Sequence, residues 1–512
     1  LTHLQLLCNF KKDGFALEAE LMAKDLVAYS TITGDWALAI HRVSNYSAEI
    51  WFGTLNAHLM MPKAARLVLM DEAQKEVATY IISADQWKRP FSKLNQRFYH
   101  LHLIQDLSPG TRYLIRFDRQ LPESAGDFAG HWQDVCSGEF QTIPNGLPET
   151  GSRNFTIAFG SCFYGHRDEG KAAIAYKALY KNGPIEFRPN VTFLIGDQVY
   201  LDIGLDSFSF KEDEIWERIA NDYENNWQLL GDILRFGGTW ILPDDHEYWN
   251  NYPFYESLIP TLWPLKIESV RNATVAAATD GVNNIQRSLD VEIIEIGEDI
   301  SICLTNFRSK RNKNNFIDPD NFEKIISWAK NLTTPGIIVC SQNLLDCPNG
   351  SEKNLTDYEP QYKALIEALG STGNDIVSLS GDVHFGRIGT AELGSKGAKL
   401  IEIVSSPLSN LTGLGGFATA VADKKPKTFL TGVELKNPKY DGRYFVESTN
   451  ADYIHGYPHE RTKEHFMTLG LSKTDNGAVE IVVNAWLVRV MINGLPGAVF
   501  DTPFRTQLKS VK

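Results

Sequence analysis

Four short apolar runs constrain this chain more than any other feature, because each breaks at a glycine or proline and delivers polar, reactive residues. They are Phe155-Thr-Ile-Ala-Phe-Gly-Ser-Cys162, Phe193-Leu-Ile-Gly-Asp-Gln-Val-Tyr200, Thr239-Trp-Ile-Leu-Pro-Asp-Asp-His-Glu247 and Ile376-Val-Ser-Leu-Ser-Gly-Asp-Val-His384. A continuous apolar run of this kind reads as a strand buried on both faces, and in open α/β sheets ligands collect at the carboxyl ends of such strands. One sheet edge would then present Cys162, Asp197, Tyr200, the block Asp244-Asp245-His246-Glu247, Asp382 and His384 together. Asp382 and His384 flank Val383, so an extended backbone sends both to one face. Three carboxylates around one histidine repel each other unless cations or solvent offset them. A thiolate and a phenolate suit a trivalent or strongly Lewis-acidic metal, whereas carboxylates suit Ca, Mg or Mn. The mixture predicts at least two metals of different character.

Around these runs the pattern alternates between strands and helices, with helical stretches at 171–181, 211–234, 321–331 and 359–369. That alternation predicts an α/β domain over 151–512, returning to strands from about residue 399. Before it, alternating runs at 48–52, 65–70, 77–82, 98–103 and 113–117 predict a small antiparallel β-sandwich over 46–150, closed by a Pro/Gly-rich linker at 143–151. Within it, Leu107-Ser-Pro-Gly-Thr-Arg-Tyr113 resembles a fibronectin-type turn in which the tyrosine anchors the next strand. Residues 1–45 read as a leader packing on the body.

A net charge of -13 and a pI near 5.5 argue against nucleic acid as the main partner, since phosphate contacts require clustered Lys and Arg. The basic run Ser309-Lys-Arg-Asn-Lys313 reads as a solvated loop. No apolar run reaches the ~18 residues a membrane span needs. Six cysteines are too few for a disulfide scaffold in 512 residues, and Cys340 with Cys347 are either a bridge or two buried thiols. Asn45, Asn190 and Asn331 each open an Asn-x-Ser/Thr triplet. His455, His459 and His465 sit in a polar, Tyr-rich stretch suited to a substrate-contacting loop.

Taken in order, Gly160-Ser-Cys162, Gly196-Asp-Gln-Val-Tyr200, Asp244-Asp-His-Glu-Tyr-Trp-Asn-Asn251 and Ser380-Gly-Asp-Val-His384 resemble the PhoD-like (alkaline phosphatase D) family of calcineurin-like metallophosphoesterases. The resemblance implies a two-sheet α/β sandwich flanked by helices after an N-terminal β-sandwich, and an extracytoplasmic (periplasmic or secreted) protein. It implies hydrolysis of phosphate monoesters or diesters by a metal-bound hydroxide. Cys162, Asp197, Tyr200 and His384 would hold Fe3+, with Asp197 bridging to one or two Ca2+ ions served by Asp245 and Asp382. Mn, Mg or Zn are compatible substitutes. Asn250 would contact metal or phosphate, and Cys340-Ser-Gln-Asn343 stands where the wider superfamily carries a further metal histidine. His246 would stabilise the transition state or protonate the leaving group, oriented by Glu247 or Asp244. Two other readings stay open: a purple-acid-phosphatase-like enzyme, disfavoured by Cys162, Asp245 and Asp382, and a catalytically silent protein binding a surface polymer.

Overall fold

The chain opens with seven strands joined by turns: β1 (Trp36–Val43), β2 (Ala48–Thr54), β3 (Ala64–Met70), β4 (Glu76–Ser83), β5 (Phe98–Ile104), β6 (Arg112–Gln120) and β7 (Trp132–Gln141). Strands and helices then alternate through β8 (Phe155–Gly160), α1 (Lys171–Asn182), β9 (Val191–Ile195), α2 (Glu212–Arg235), β10 (Gly238–Leu242) and α3 (Glu268–Gly281). A second such stretch holds β11 (Val291–Ile296), β12 (Ile300–Thr305), α4 (Pro319–Lys330), β13 (Gly336–Val339), α5 (Glu359–Gly370) and β14 (Ile376–Ser380). The chain closes on β15 (Gly386–Leu393), β16 (Ala398–Val404), β17 (Leu435–Val446), β18 (His465–Lys473), β19 (Val479–Ile492), β20 (Leu495–Ala498) and β21 (Phe504–Leu508). This computed structural model describes residues 36–511 except 167, 204, 257–259, 349, 351–352, 412–434 and 448–462. His455 and His459 lie outside the described residues.

The described strands form three sheets, so the architecture is mixed α/β. A ten-stranded sheet runs β20-β19-β18-β8-β9-β10-β1-β2-β5, with β21 beside β19; a seven-stranded sheet runs β11-β12-β13-β14-β16-β15-β17; a four-stranded sheet runs β4-β3-β6-β7. β8, β9 and β10 are mutually parallel, as are β12, β13 and β14. Every residue of β8, β9, β10, β13 and β14 is buried, which is why these segments read as unbroken apolar runs. One core joins the facing sides of the two large sheets, bringing Ile157, Phe193, Ile195 and Leu242 together with Ile302, Ile337, Val377 and Ile403. On the far side of the first sheet, Tyr176 and Leu179 of α1, Trp227 and Leu230 of α2 and Ala277 of α3 share a cluster with Ala158, Leu194 and Ile241. On the far side of the second, Ile325 of α4 and Leu365 of α5 pack with Cys303, Ile338 and Ile376.

The N-terminal strands are continuous with this body. β1 covers residues that read as leader; nearly every side chain in it is buried, so no polar alternation marks it as a strand. It pairs antiparallel with β2 and meets β10 in parallel at His41 and Thr239. The four-stranded sheet packs over β1 and β2 through Trp36, Phe52 and Phe117, whose rings approach to 5.3 Å (Trp36 to Phe117) and 4.7 Å (Phe52 to Phe117). The Tyr113 hydroxyl accepts a hydrogen bond from the Ser108 N–H at 3.0 Å, tying the turn to the strand that follows it. Asn190 is buried and its amide donates to Gln141 at 2.9 Å, a position closed to a glycan. Cys340 and Cys347 are both free thiols. No described helix is long and apolar enough to cross a membrane.

His41, buried between β1 and β10, carries a pH prediction. Burial pushes its pKa down from 6.5 to about 4, against the pull of Glu49. The unfolded chain takes up this proton near pH 6.5 and the folded chain only near 4, so the stability held above pH 6.5 is lost as pH falls between these values. The loss amounts to about 3 kcal/mol. Urea midpoints measured from pH 7 to pH 4 should fall less steeply for His41→Gln than for the wild type; equal slopes would exclude His41 as a contributor.

Candidate metal centre

The four tips meet, but not along one sheet edge. β8, β9 and β10 bring Cys162, Asp197, Tyr200 and the 244–247 block from the first large sheet, while β14 brings Asp382 and His384 from the second. Close approach of the two sheets depends on two glycines. A Cβ on Gly381 would lie 2.2 Å from Ser161 Oγ, and one on Gly196, whose φ is +104°, would lie 3.0 Å from Ser341 Cβ just beyond the end of β13. Cys162, Asp197, Asp382 and His384 all have positive φ, between 55° and 67°. Non-glycine residues in this region are uncommon and held there by surrounding structure, which clusters them at functional sites.

Glu247 is the staple of these turns. Its carboxylate accepts the backbone N–H groups of Asp197 (3.0 Å), Gln198 (2.6 Å) and Asp244 (2.8 Å), and the Gln286 amide (3.1 Å). Gln286 is supplied by a π-helical turn, Val282–Gln286, after α3. Burial raises the Glu247 pKa to about 7 against those hydrogen bonds. Both its oxygens are used by the scaffold, and the hydrogen bond to the His246 ring comes from elsewhere.

The partner of His246 is Asp202. Nδ1 of His246 lies 2.7 Å from Asp202 Oδ1, and Asp202 Oδ2 accepts the Asn250 backbone N–H at 2.9 Å. The imidazole packs on the Tyr200 ring, with centroids 4.4 Å apart. Burial disfavours the imidazolium, but Asp202, Asp197 and Asp245 outweigh it and hold the pKa well above its ordinary value.

Ligand-type atoms of Asp197, Asp244, Asp245 and Asp382 lie within 4.8 Å of one another, and so do those of Asp197, Asp245 and His246. Asp197 and Asp245 belong to both groups. Cys162 Sγ lies 3.5 Å from Asp197 Oδ2 and 3.4 Å from the Asp382 carbonyl. Burial first, then neighbouring carboxylates, raises Asp197, Asp382 and Cys162 well above their usual values. The Tyr200 pKa also rises well above its usual value through burial, the Cys162 thiol and Asp197, and no hydrogen bond reaches its hydroxyl. On the opposite wall, His384 Nδ1 lies 2.9 Å from Asn410 Oδ1, and burial lowers its pKa to about 4, keeping the imidazole neutral.

This arrangement fits metal ions. Asp244 Oδ2, Tyr200 Oη and Ser341 Oγ are buried with no hydrogen-bond partner. Buried carboxylates this close resist ionisation together, and a bound cation inverts that balance and favours deprotonated carboxylates, thiol and phenol.

Sequence reasoning missed several residues here. Arg308 is 1% exposed and donates from Nε to Asp244 Oδ1 at 2.5 Å. Arg311, within the run read as a solvated loop, is buried: it donates to the carbonyls of Phe307 and Lys353 and to Gln342 Oε1. Gln342 in turn donates to Asp382 Oδ2 at 3.3 Å. The signal for Arg308 was present, since Ile300–Thr305 is another apolar parallel strand that ends in Asn306-Phe-Arg308.

Among solved structures, that of PhoD overlays 94% of this chain and 92% of its own, with a TM-score of 0.57 and 15% sequence identity. At that identity the likeness is one of fold. A β-glucuronidase from Parabacteroides merdae covers 68% of this chain and 41% of its own at 10% identity, with a TM-score of only 0.24. A redesigned β-sandwich protein covers 20% of this chain and 84% of its own at 12% identity, with a TM-score of 0.15. No protein-family model and no curated protein sequence matches the chain.

Proposed function

We propose that this protein is a metal-dependent phosphoric ester hydrolase, acting on phosphate monoesters or diesters. The observation that carries the reading is the convergence of Asp197, Asp244, Asp245 and Asp382, with carboxylate oxygens within 4.8 Å of one another, beside the Cys162 thiol 3.5 Å from Asp197 Oδ2. In this reading Cys162, Tyr200 and His384 join Asp197 around a ferric ion, and Asp244, Asp245 and Asp382 join it around calcium. Such ions supply Lewis acidity toward the phosphoryl oxygens and lower the pKa of water to produce a nucleophile at neutral pH.

The remaining work falls to the chain. Asn410 fixes the His384 ring through Nδ1, so Nε2 would be the nitrogen that serves the metal. Asp202 holds Nδ1 of His246, so Nε2 is the ring nitrogen that hands a proton to the leaving alkoxide. Glu247 keeps the backbone turns of Asp197 and Asp244 in place and carries no proton to substrate. Asn250, whose backbone N–H donates to Asp202, would meet the phosphate or a metal in this reading. Periplasmic or secreted placement belongs to the same reading.

Elemental analysis of untagged protein, paired with turnover of p-nitrophenyl phosphate and bis-p-nitrophenyl phosphate before and after chelation, tests the assignment. Bound iron and calcium with chelator-sensitive hydrolysis are expected. Protein that holds no metal, and that hydrolyses neither ester after reconstitution with iron and calcium, would sink it.

A further inference from the structure

We infer that Arg308 is a resident cation of the centre, filling the Asp244/Asp245 corner so that the chain binds two metal ions and not three. The inference rests on the metal-centre reading above and decides its stoichiometry. The guanidinium is fixed on three sides: Nε donates to Asp244 Oδ1 at 2.5 Å, Nη1 donates to the Tyr252 carbonyl at 3.0 Å, and Nη2 lies 3.8 Å from Asp245 Oδ1. Asp245 Oδ2 accepts the Asn251 backbone N–H at 2.5 Å. Two of the four oxygens of this aspartate pair therefore accept hydrogen bonds, Asp245 Oδ1 lies 3.8 Å from the guanidinium, and Asp244 Oδ2 has no partner.

Calcium takes six to eight oxygens, as a rule. A corner offering Asp244 Oδ2 and Asp245 Oδ1 falls well short of that number and does not build a separate calcium site, yet both oxygens can serve an ion centred nearer Asp197 and Asp382. Four clustered carboxylates need compensation, and a buried arginine supplies one fixed positive charge that cannot be deprotonated or exchanged. Arg311 does not share this role, because its donors go to two carbonyls and Gln342.

The test counts ions. Untagged chain reconstituted with iron, equilibrated with calcium and desalted should contain two metal ions per chain. Arg308→Ala should gain one calcium per chain, and Arg308→Lys, which keeps the charge, should stay at two. Melting in chelator supplies a second readout: the Tm deficit of Arg308→Ala against wild type should be larger in chelator than in calcium. If the alanine variant does not fold, Arg308→Gln, shorter and uncharged but with an amide oxygen, should show the same gain. A wild-type count of three, or an uncharged variant that stays at two, overturns the inference. Chain that binds no metal overturns this inference and the metal-centre reading together. Two bound ions without hydrolysis would leave Arg308 as assigned and remove only the phosphoesterase reading.

Discussion

Asp197→Asn is expected to empty both metal positions at once and to lower kcat/KM on aryl phosphates by about 10³-fold, the rate equivalent of several kcal/mol of lost Lewis-acid stabilisation. No other substitution at the tips should do both. Asp197 is the one ligand that the proposed reading gives to both metal positions; its Oδ1 accepts the His246 backbone N–H at 3.3 Å and its Oδ2 faces the Cys162 thiol at 3.5 Å. Asparagine keeps the shape but replaces one acceptor with an N–H donor, aimed at either the His246 amide or the sulfur. The same change should raise stability in chelator. Burial lifts the Asp197 pKa well above 3.8 in the metal-free protein, so above pH 4 the folded chain binds more protons at this residue than the unfolded chain. Metal-free stability is then lost at this residue as pH rises, and asparagine removes the loss. Thermal melts in chelator should show the variant's advantage widening from pH 4 to pH 7. Metal content equal to wild type, with activity within tenfold, would refute the bridging role.

The strand tips were legible because parallel strands covered on both faces leave unbroken apolar runs, and the residue that breaks each run marks the sheet edge. Cys162, Asp197, Tyr200, the 244–247 block, Asp382 and His384 all lie at such edges. What a run does not reveal is the sheet it belongs to, so tips from two facing sheets read as one edge. It also does not reveal which way each side chain in a dense polar block turns. Asp244-Asp245-His246-Glu247 offered four reactive groups, and the short helical turn over Asp245–Glu247 sends Glu247 back onto the backbone of its neighbours while His246 finds Asp202. Arg311 was illegible for a different reason. A basic run is usually a solvated face, and only the tertiary arrangement gives its guanidinium a buried partner in Gln342. Arg308 follows an apolar strand as the other site residues do, but nothing in that run names Asp244 and Asp245 as its partners.

His246→Ala is expected to cut turnover of alkyl phosphate esters by roughly 10²- to 10⁴-fold, the usual worth of a positioned proton donor, with metal content unchanged. The loss on p-nitrophenyl esters should be much smaller, because that leaving group departs without needing a proton. Two roles compete for this imidazole. Its atoms lie within 4.8 Å of those of Asp197 and Asp245, a spacing that also suits a metal ligand. Asp202, 2.7 Å from Nδ1, favours the imidazolium, with one N–H on the carboxylate and the other on Nε2, and a metal ligand must be neutral. Bound cations would weaken the pull of Asp197 and Asp245 on the ring, but the Asp202 hydrogen bond is separate from that shared cluster and would persist. The proton-donor role therefore predicts a loss that depends on the leaving group at constant metal content. The ligand role predicts lost metal and an equal loss on every ester. Asp202→Asn separates them further: it keeps the shape of the contact but removes the charge that holds the proton, so the basic limb of the pH profile on alkyl esters should shift to lower pH while metal binding stays as in wild type.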